Sequence, residues 1–310
     1  LERLQSTLNR AFRHVPFHTA RFQKRGIEPA DIETLGDLAR LPFMRRADFS
    51  AHYPYDLFAV PLRDIVRIHT APGTTHNPTV SGYTAQDLEH WRRMLARAMG
   101  SAGVTQHDIL QIALNPGLAN WGRDYKDAAE AMGASVIPNT QLSIEKQLMV
   151  LRDYKSTTLI TTPALADHLG DYMPEAGIAP AALSLHTLIL AGECISEQNR
   201  GSIEERLQVK TWVHYGLSEV PGPAIAFECE AHNGLHINED HFLPEIVDPD
   251  GDSAMDSGAM GELVLTTLTT RAFPLIRFRT GDRARILADP CSCGSTLARM
   301  EWSALRTDDI

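Results

Sequence analysis

Between residues 107 and 214 the chain alternates short apolar runs with amphipathic stretches. The runs 109–114, 134–137, 157–161, 185–190 and 209–214 are rich in Ile, Leu, Val and Thr, as in strands buried on both faces. The stretches 124–132, 143–154, 163–172 and 196–207 instead repeat apolar residues every three to four positions, which predicts helices. Strands and helices in strict alternation predict a parallel sheet covered by helices on both sides, an α/β fold. Upstream, 65–70 and 79–83 read as two strands joined by a loop of small, turn-forming residues, and a long amphipathic helix spans 85–102. Residues 1–55 read as polar helical segments broken by Pro16, Pro29, Pro42 and Pro54, with 35–41 as a packing face. After Pro223 the helical pattern stops. Strand-like runs at 242–247, 262–268, 275–279 and 283–287, separated by glycines and the turn Asp248-Pro249-Asp250-Gly251, predict a β-rich subdomain packed on the sheet. The predicted units are a helical cap (1–60), an α/β core (61–222) and a β-rich subdomain (223–304).

Composition narrows the function classes. With 310 residues, 43% hydrophobic and 22% charged, the chain can bury a large core. A formal net charge of -10 opposes broad attraction to nucleic acid or an anionic membrane, while leaving room for local phosphate pockets. No apolar run approaches the roughly 20 residues that span a bilayer, and no signal-peptide pattern opens the sequence, so the expected compartment is the cytoplasm. Four cysteines are too few for a disulfide scaffold, and Cys291 and Cys293 are too close to bridge each other easily.

Three segments carry candidate chemistry. The loop Ala71-Pro72-Gly73-Thr74-Thr75-His76-Asn77-Pro78 offers backbone N–H groups and hydroxyls that suit a polyphosphate, though taken alone it reads first as an ordinary hairpin loop. His214-Tyr215-Gly216-Leu217-Ser218-Glu219 ends the last parallel strand, where open α/β sheets gather ligands. An aromatic there can stack on a base, a hydroxyl can bond phosphate and a carboxylate can hold Mg²⁺; the plainer reading is a strand end with a solvated Glu. In Arg277-Phe278-Arg279-Thr280-Gly281-Asp282 the aspartate can bind ribose hydroxyls and an arginine can offer planar donors to phosphate, or the aspartate simply starts a turn.

Taken in order, these segments resemble the adenylate-forming enzymes, and the surrounding text is similar to the phenylacetate-CoA ligase family. Leu41-Pro42-Phe43, Tyr53-Pro54-Tyr55, Val66-Arg67-Ile68-His69, Gly234-Leu235-His236-Ile237 and the stretches 215–220, 261–267 and 274–282 carry the likeness through most of the chain. The resemblance implies a two-step reaction: a carboxylate attacks the α-phosphorus of Mg·ATP to give acyl-AMP and pyrophosphate, and CoA thiolate then displaces AMP. Carried over by position, Gly73, Thr74 and Thr75 contact the phosphates, and Tyr215-Gly216 meets the adenine that Ala191, Gly192 and Glu193 line. Ser218 touches the α-phosphate, Glu219 holds Mg²⁺, Arg279 and Asp282 face the nucleotide, and Arg306 is the hinge arginine with Asp308 at the pivot. The partners implied are a small carboxylic acid and CoA, with homodimers occurring among relatives.

The chain also departs from the family. Ala71-Pro72 and His76-Asn77 stand where the phosphate loop ordinarily has two serines and Gly-Lys, so a cation and two hydroxyls are missing. The family's aromatic, glycine-rich acid-pocket segment is replaced by 114–122, where Asn120 and Trp121 either line a different pocket or, for Trp121, pack at a helix start. Residues 305–310 match a hinge, and the family's lysine-bearing lid would follow Ile310. These departures keep open a nucleotide-binding regulatory or assembly subunit, or an adenylating enzyme with another thiol or an amine as acceptor. Separately, Cys229, His236, Cys291 and Cys293 have the ligand mix of a closed, structural Zn²⁺ site. His232 or His241 are alternatives to His236, and relatives with a similar Cys-x-Cys-Gly turn bind zinc.

Overall fold

The structure is a computed structural model that describes residues 1–71, 78–114, 121–137, 142–220 and 222–306, with the backbone alone described for 304–306. In chain order its helices and strands are α1 (Glu2–His14), α2 (Pro16–Arg25), α3 (Arg46–Ala51), β1 (Arg67–Ala71), β2 (Thr79–Tyr83), α4 (Ala85–Ser101), β3 (Ile109–Ala113), α5 (Trp121–Ala131) and β4 (Ser135–Ile137). There follow α6 (Ile144–Asp153), β5 (Thr158–Thr161), α7 (Pro163–Glu175), β6 (Thr187–Ala191), α8 (Glu197–Leu207) and β7 (Lys210–Tyr215). The last third holds β8 (Ala226–Phe227), β9 (Leu235–Ile237), β10 (Phe242–Val247), β11 (Gly261–Thr267), β12 (Phe278–Leu287) and β13 (Arg299–Arg306).

The alternating pattern builds the expected α/β architecture. Strands β4, β3, β5, β6 and β7 pair in parallel. Because side chains alternate across a strand, Leu110, Ile112, Ile160 and Ile189 share a core with α4 and α5. Leu159, Leu188 and Leu190 face the other way, onto α6, α7 and α8. Hydroxyl caps start three of these helices: Thr84 for α4, Thr162 for α7 and Ser196 for α8 each accept a backbone N–H of the first turn. Asp87 completes a capping box with Thr84 and also accepts the backbone N–H groups of Arg271 and Ala272, which ties α4 to the loop after β11.

The β-rich stretch is not a layer packed on the parallel sheet, as expected, but its lateral continuation. The order β10-β11-β12-β13-β9-β8-β7-β6-β5-β3-β4 makes one eleven-stranded sheet, antiparallel beyond β7. The runs read as two strands at 275–279 and 283–287 are one strand, β12, whose register shifts between Asp282 and Ala284. Strands β1 and β2 form a separate two-stranded antiparallel sheet. At the N-terminal end, α1 and α2 enclose a small core around Ile276, held by Thr7 Oγ1 donating to the Leu268 carbonyl at 3.0 Å.

Candidate active site and metal centre

Tyr215 is the last residue of β7, at the carboxyl edge of the parallel strands. Alternation sends its neighbour His214 toward α5, where the Tyr125 hydroxyl lies 2.8 Å from His214 Nδ1. Tyr215 donates its own hydroxyl to Asp282 Oδ2 at 2.7 Å, across 67 residues of chain. The backbone N–H of Asp282 bonds Thr280 Oγ1 at 3.0 Å, within the irregular stretch of β12. Burial first, and then the Asp282 charge, hold the Tyr215 phenol far above the usual range, so it remains a donor. The segment after β6 comes to the same place: the Cys194 thiol is raised chiefly by burial and further by the charge of Asp282. The loop after Tyr215 folds back on itself closely. A Cβ at Gly216 would stand 2.6 Å from the Gly222 carbonyl oxygen and 2.7 Å from Pro223 Cα, so only glycine fits there.

That loop carries Glu219, whose side chain is 9% exposed and accepts from Arg46 Nε at 2.7 Å. Arg46 belongs to the N-terminal segment read as a cap, and no periodicity or spacing singled it out. Trp302 of β13 is a second residue that sequence reasoning missed. Its ring meets that of Tyr215 edge-on, with centroids 4.8 Å apart. The expected adenine-stacking residue therefore has an aromatic neighbour from a strand the pattern did not predict.

The other expected residues have the following surroundings. Arg279 directs its guanidinium into the chain: Nε donates to Glu262 Oε2 at 2.8 Å, Nη1 to the Gly251 carbonyl at 2.8 Å, and Nη2 to the Asp248 and Pro249 carbonyls at 3.0 and 2.8 Å. A second contact from Nη1, to Asp252 at 3.4 Å, adds to the partners that hold the buried Arg279 side chain within the chain. Glu193 is exposed and accepts the Ala164 N–H at the start of α7, at 3.2 Å. Trp121 is buried in the main core at the start of α5, the packing role weighed for it from sequence. Ala191 ends β6 paired with His214, and Ser218 is half-buried in the loop that carries Glu219. Gly73, Thr74, Thr75, Asn120 and Asp308 lie outside the described residues, as does the side chain of Arg306. A cleft of about 490 Å³ between α4 and α5, lined by Arg67, Trp91, Asp124 and Asp127, includes none of the nucleotide-motif residues.

The cysteine cluster converges as expected. Sγ of Cys229 and Cys291 are 3.6 Å apart, and Cys293 Sγ is 3.3 Å from His236 Nε2. All four ligand atoms lie within 4.8 Å of one another. Tetrahedral ligands about 2.3 Å from a common zinc stand roughly 3.8 Å apart, so the spacing fits. The other ring nitrogen, Nδ1 of His236, lies 3.2 Å from the Leu297 carbonyl, which orients the imidazole with Nε2 toward the thiols. Burial pushes the Cys229 thiol up to about 12, a penalty that a thiolate-binding cation reverses. These residues could hold Zn²⁺ with no open position.

No family model matches the chain. Against curated proteins it is 39% identical over 310 residues to the phenylacetate-coenzyme A ligase of Thermus thermophilus, covering all of this chain and 70% of that protein. The Escherichia coli K12 phenylacetate-coenzyme A ligase is 38% identical over 311 residues with the same coverage. Among solved structures, 2-hydroxyisobutyryl-CoA ligase in complex with 2-HIB-AMP and CoA superposes with a TM-score of 0.92 at 26% identity, over 99% of this chain and 67% of that one. Among the described residues no helix is long and apolar enough to cross a membrane. The identities and their coverage, together with the shared sheet, place the chain in the phenylacetate-CoA ligase family, with the fold of adenylate-forming acid–CoA ligases.

Proposed function

We propose that this chain activates a small aromatic or hydrophobic carboxylic acid with ATP and passes the acyl group to CoA. The acid's carboxylate oxygen attacks the α-phosphorus, the bond to the β-phosphate oxygen breaks, and pyrophosphate leaves with the negative charge. The thiolate of CoA then attacks the acyl carbonyl carbon and AMP departs. In this reading Tyr215 and the segment from Ala191 to Glu193 flank adenine, Asp282 holds the ribose, and Ser218 meets the α-phosphate. Thr74 and Thr75 receive the outer phosphates. Glu219 offers Mg²⁺ the hard oxygen ligand it requires, and the bound ion neutralises charge on the phosphates. Arg306 and Asp308 serve as the hinge, and Cys229, His236, Cys291 and Cys293 bind a structural Zn²⁺.

The observation that carries this reading is the meeting of Tyr215 and Asp282 at 2.7 Å, at the carboxyl edge of a parallel sheet, in a chain of this family. Acid-dependent exchange of labelled pyrophosphate into ATP by the full-length protein tests it, with exchange expected for some member of an aromatic and aliphatic acid panel. The second reading draws on Asn77, which stands where the family has a phosphate-loop lysine. ATP binding without exchange across the whole panel would assign the chain to a nucleotide-binding regulatory subunit instead.

A further inference from the structure

We propose that the cluster of Cys229, His236, Cys291 and Cys293, when it holds Zn²⁺, steadies the nucleotide site through β13, with Trp302 as the positioning residue that passes the restraint to Tyr215. The inference rests on the nucleotide and zinc readings given above. The cluster closes on the start of β13. Its ligand His236 pairs directly with Arg299, the first residue of that strand, and Leu235 pairs with Met300. On the other side of the ligand, the Ile237 N–H donates to the Ala298 carbonyl at 2.8 Å. Cys291 and Cys293 lie on the segment that leads into β13. Arg299 is buried and donates to the carbonyls of Asn233 and Asp289, one on each of the two segments that the ligands join.

From there β13 runs antiparallel to β12, from Arg299 opposite Leu287 to Arg306 opposite Asp282, with Trp302 opposite Ala284. Among the described residues its pairing with β9 is confined to Arg299 and Met300. The cluster therefore sits where β13 is tied to the strands that lead back to β7 and Tyr215. The register of β12 against β13 shifts between Asp282 and Ala284, so the ladder is interrupted where Trp302 stands and backbone bonds fix the strand least there. The Trp302 ring meets Tyr215 edge-on, with centroids 4.8 Å apart, while the Tyr215 hydroxyl is held by Asp282 at 2.7 Å. A bond at the hydroxyl fixes one end of a phenol ring, and an edge-on aromatic neighbour fixes its plane. With the metal bound, four side chains clamp the start of β13 to β9 and to the segment after β8. Without it, that tie falls to the backbone bonds around His236 and the Arg299 side chain, and β13 gains freedom to move against β12 at Trp302.

Calorimetric titration of AMP into the full chain, with zinc content measured on the same samples, tests this as a double-mutant cycle. Cys291→Ser should lose the metal and bind AMP about threefold to tenfold more weakly, while circular dichroism shows the chain folded. Trp302→Ala should weaken AMP binding by a similar factor with zinc content unchanged, and Trp302→Phe, which keeps an aromatic edge, should recover most of the loss. Added to Trp302→Ala, Cys291→Ser should cost less than about twofold, because the two changes remove the same restraint. Equal losses from Cys291→Ser with and without Trp302 would overturn the proposal, as would AMP binding that is the same with and without metal. If Cys291→Ser does not fold, stripping the metal with a strong zinc chelator from wild type and from Trp302→Ala is judged by the same comparison. Folded wild type that carries zinc but binds no AMP would overturn the nucleotide reading and the proposal with it. Folded wild type that binds AMP but carries no zinc would overturn the metal reading instead, so the failures are told apart.

Discussion

The hydroxyl proton of Tyr215 is committed to Asp282, so each side chain depends on the other for its place. Tyr215→Phe removes a donor from a buried carboxylate and should cost about 1–3 kcal/mol of stability by urea denaturation. A second prediction concerns acid. Burial holds His18 and His214 at about 4, against an ordinary value of 6.5. Both are neutral in the folded chain near pH 5, whereas the unfolded chain binds protons there, so unfolding takes up protons and stability rises with pH. The contribution is fully present above pH 6.5, declines as pH falls through that value and is exhausted near pH 4. Comparing denaturation at pH 7 and pH 5, each histidine should account for about 2 kcal/mol of the loss. A variant with either imidazole replaced by glutamine should show a shallower pH dependence.

At the scale of elements, the pattern located the parallel strands and their helices to within a few residues, because period-two and period-3.6 burial leaves a direct trace in apolar spacing. It split β12 because Thr280-Gly281-Asp282 interrupts the apolar run. Those polar groups are buried on internal bonds: Thr280 Oγ1 donates to the Leu263 carbonyl at 2.8 Å, and the Gly281 N–H to Glu262 Oε1 at 3.1 Å. Strands β8 and β9 are too short to show a period at all. The partners of Arg279 were hidden for a related reason, since spacing does not reveal that Glu262 and the turn at 248–251 accept its donors. Arg279→Ala should therefore cost about 3–5 kcal/mol of stability by leaving Glu262 buried and unpaired, while AMP affinity per folded molecule stays near wild type. The cluster's ligand types were legible in the sequence, with His236 one of three candidate histidines, and the cluster joins Cys229 after β8 and His236 of β9 to the loop before β13. Metal analysis should find about one Zn²⁺ per chain. Cys291→Ser should lower both zinc content and melting temperature; a metal-free, fully folded protein would contradict the site.

At the scale of the whole molecule, what sequence could not show was which distant segments touch. The residues after β7, the irregular stretch of β12 and the start of α3 are far apart in the chain, and only the sheet order brings Tyr215 to Asp282 and Arg46 to Glu219. The β-rich stretch continues the parallel sheet, so a single framework spans from the helices that cover β3 to the strand that carries Asp282. The central claim is that this framework assembles one nucleotide site. Calorimetric titration of AMP into wild type and Asp282→Asn tests it most directly. The account predicts a single site in the wild type and at least about tenfold weaker binding in the variant, through loss of a charge-assisted hydrogen bond to the ribose. Equal AMP affinity in the two, with both folded, would contradict it.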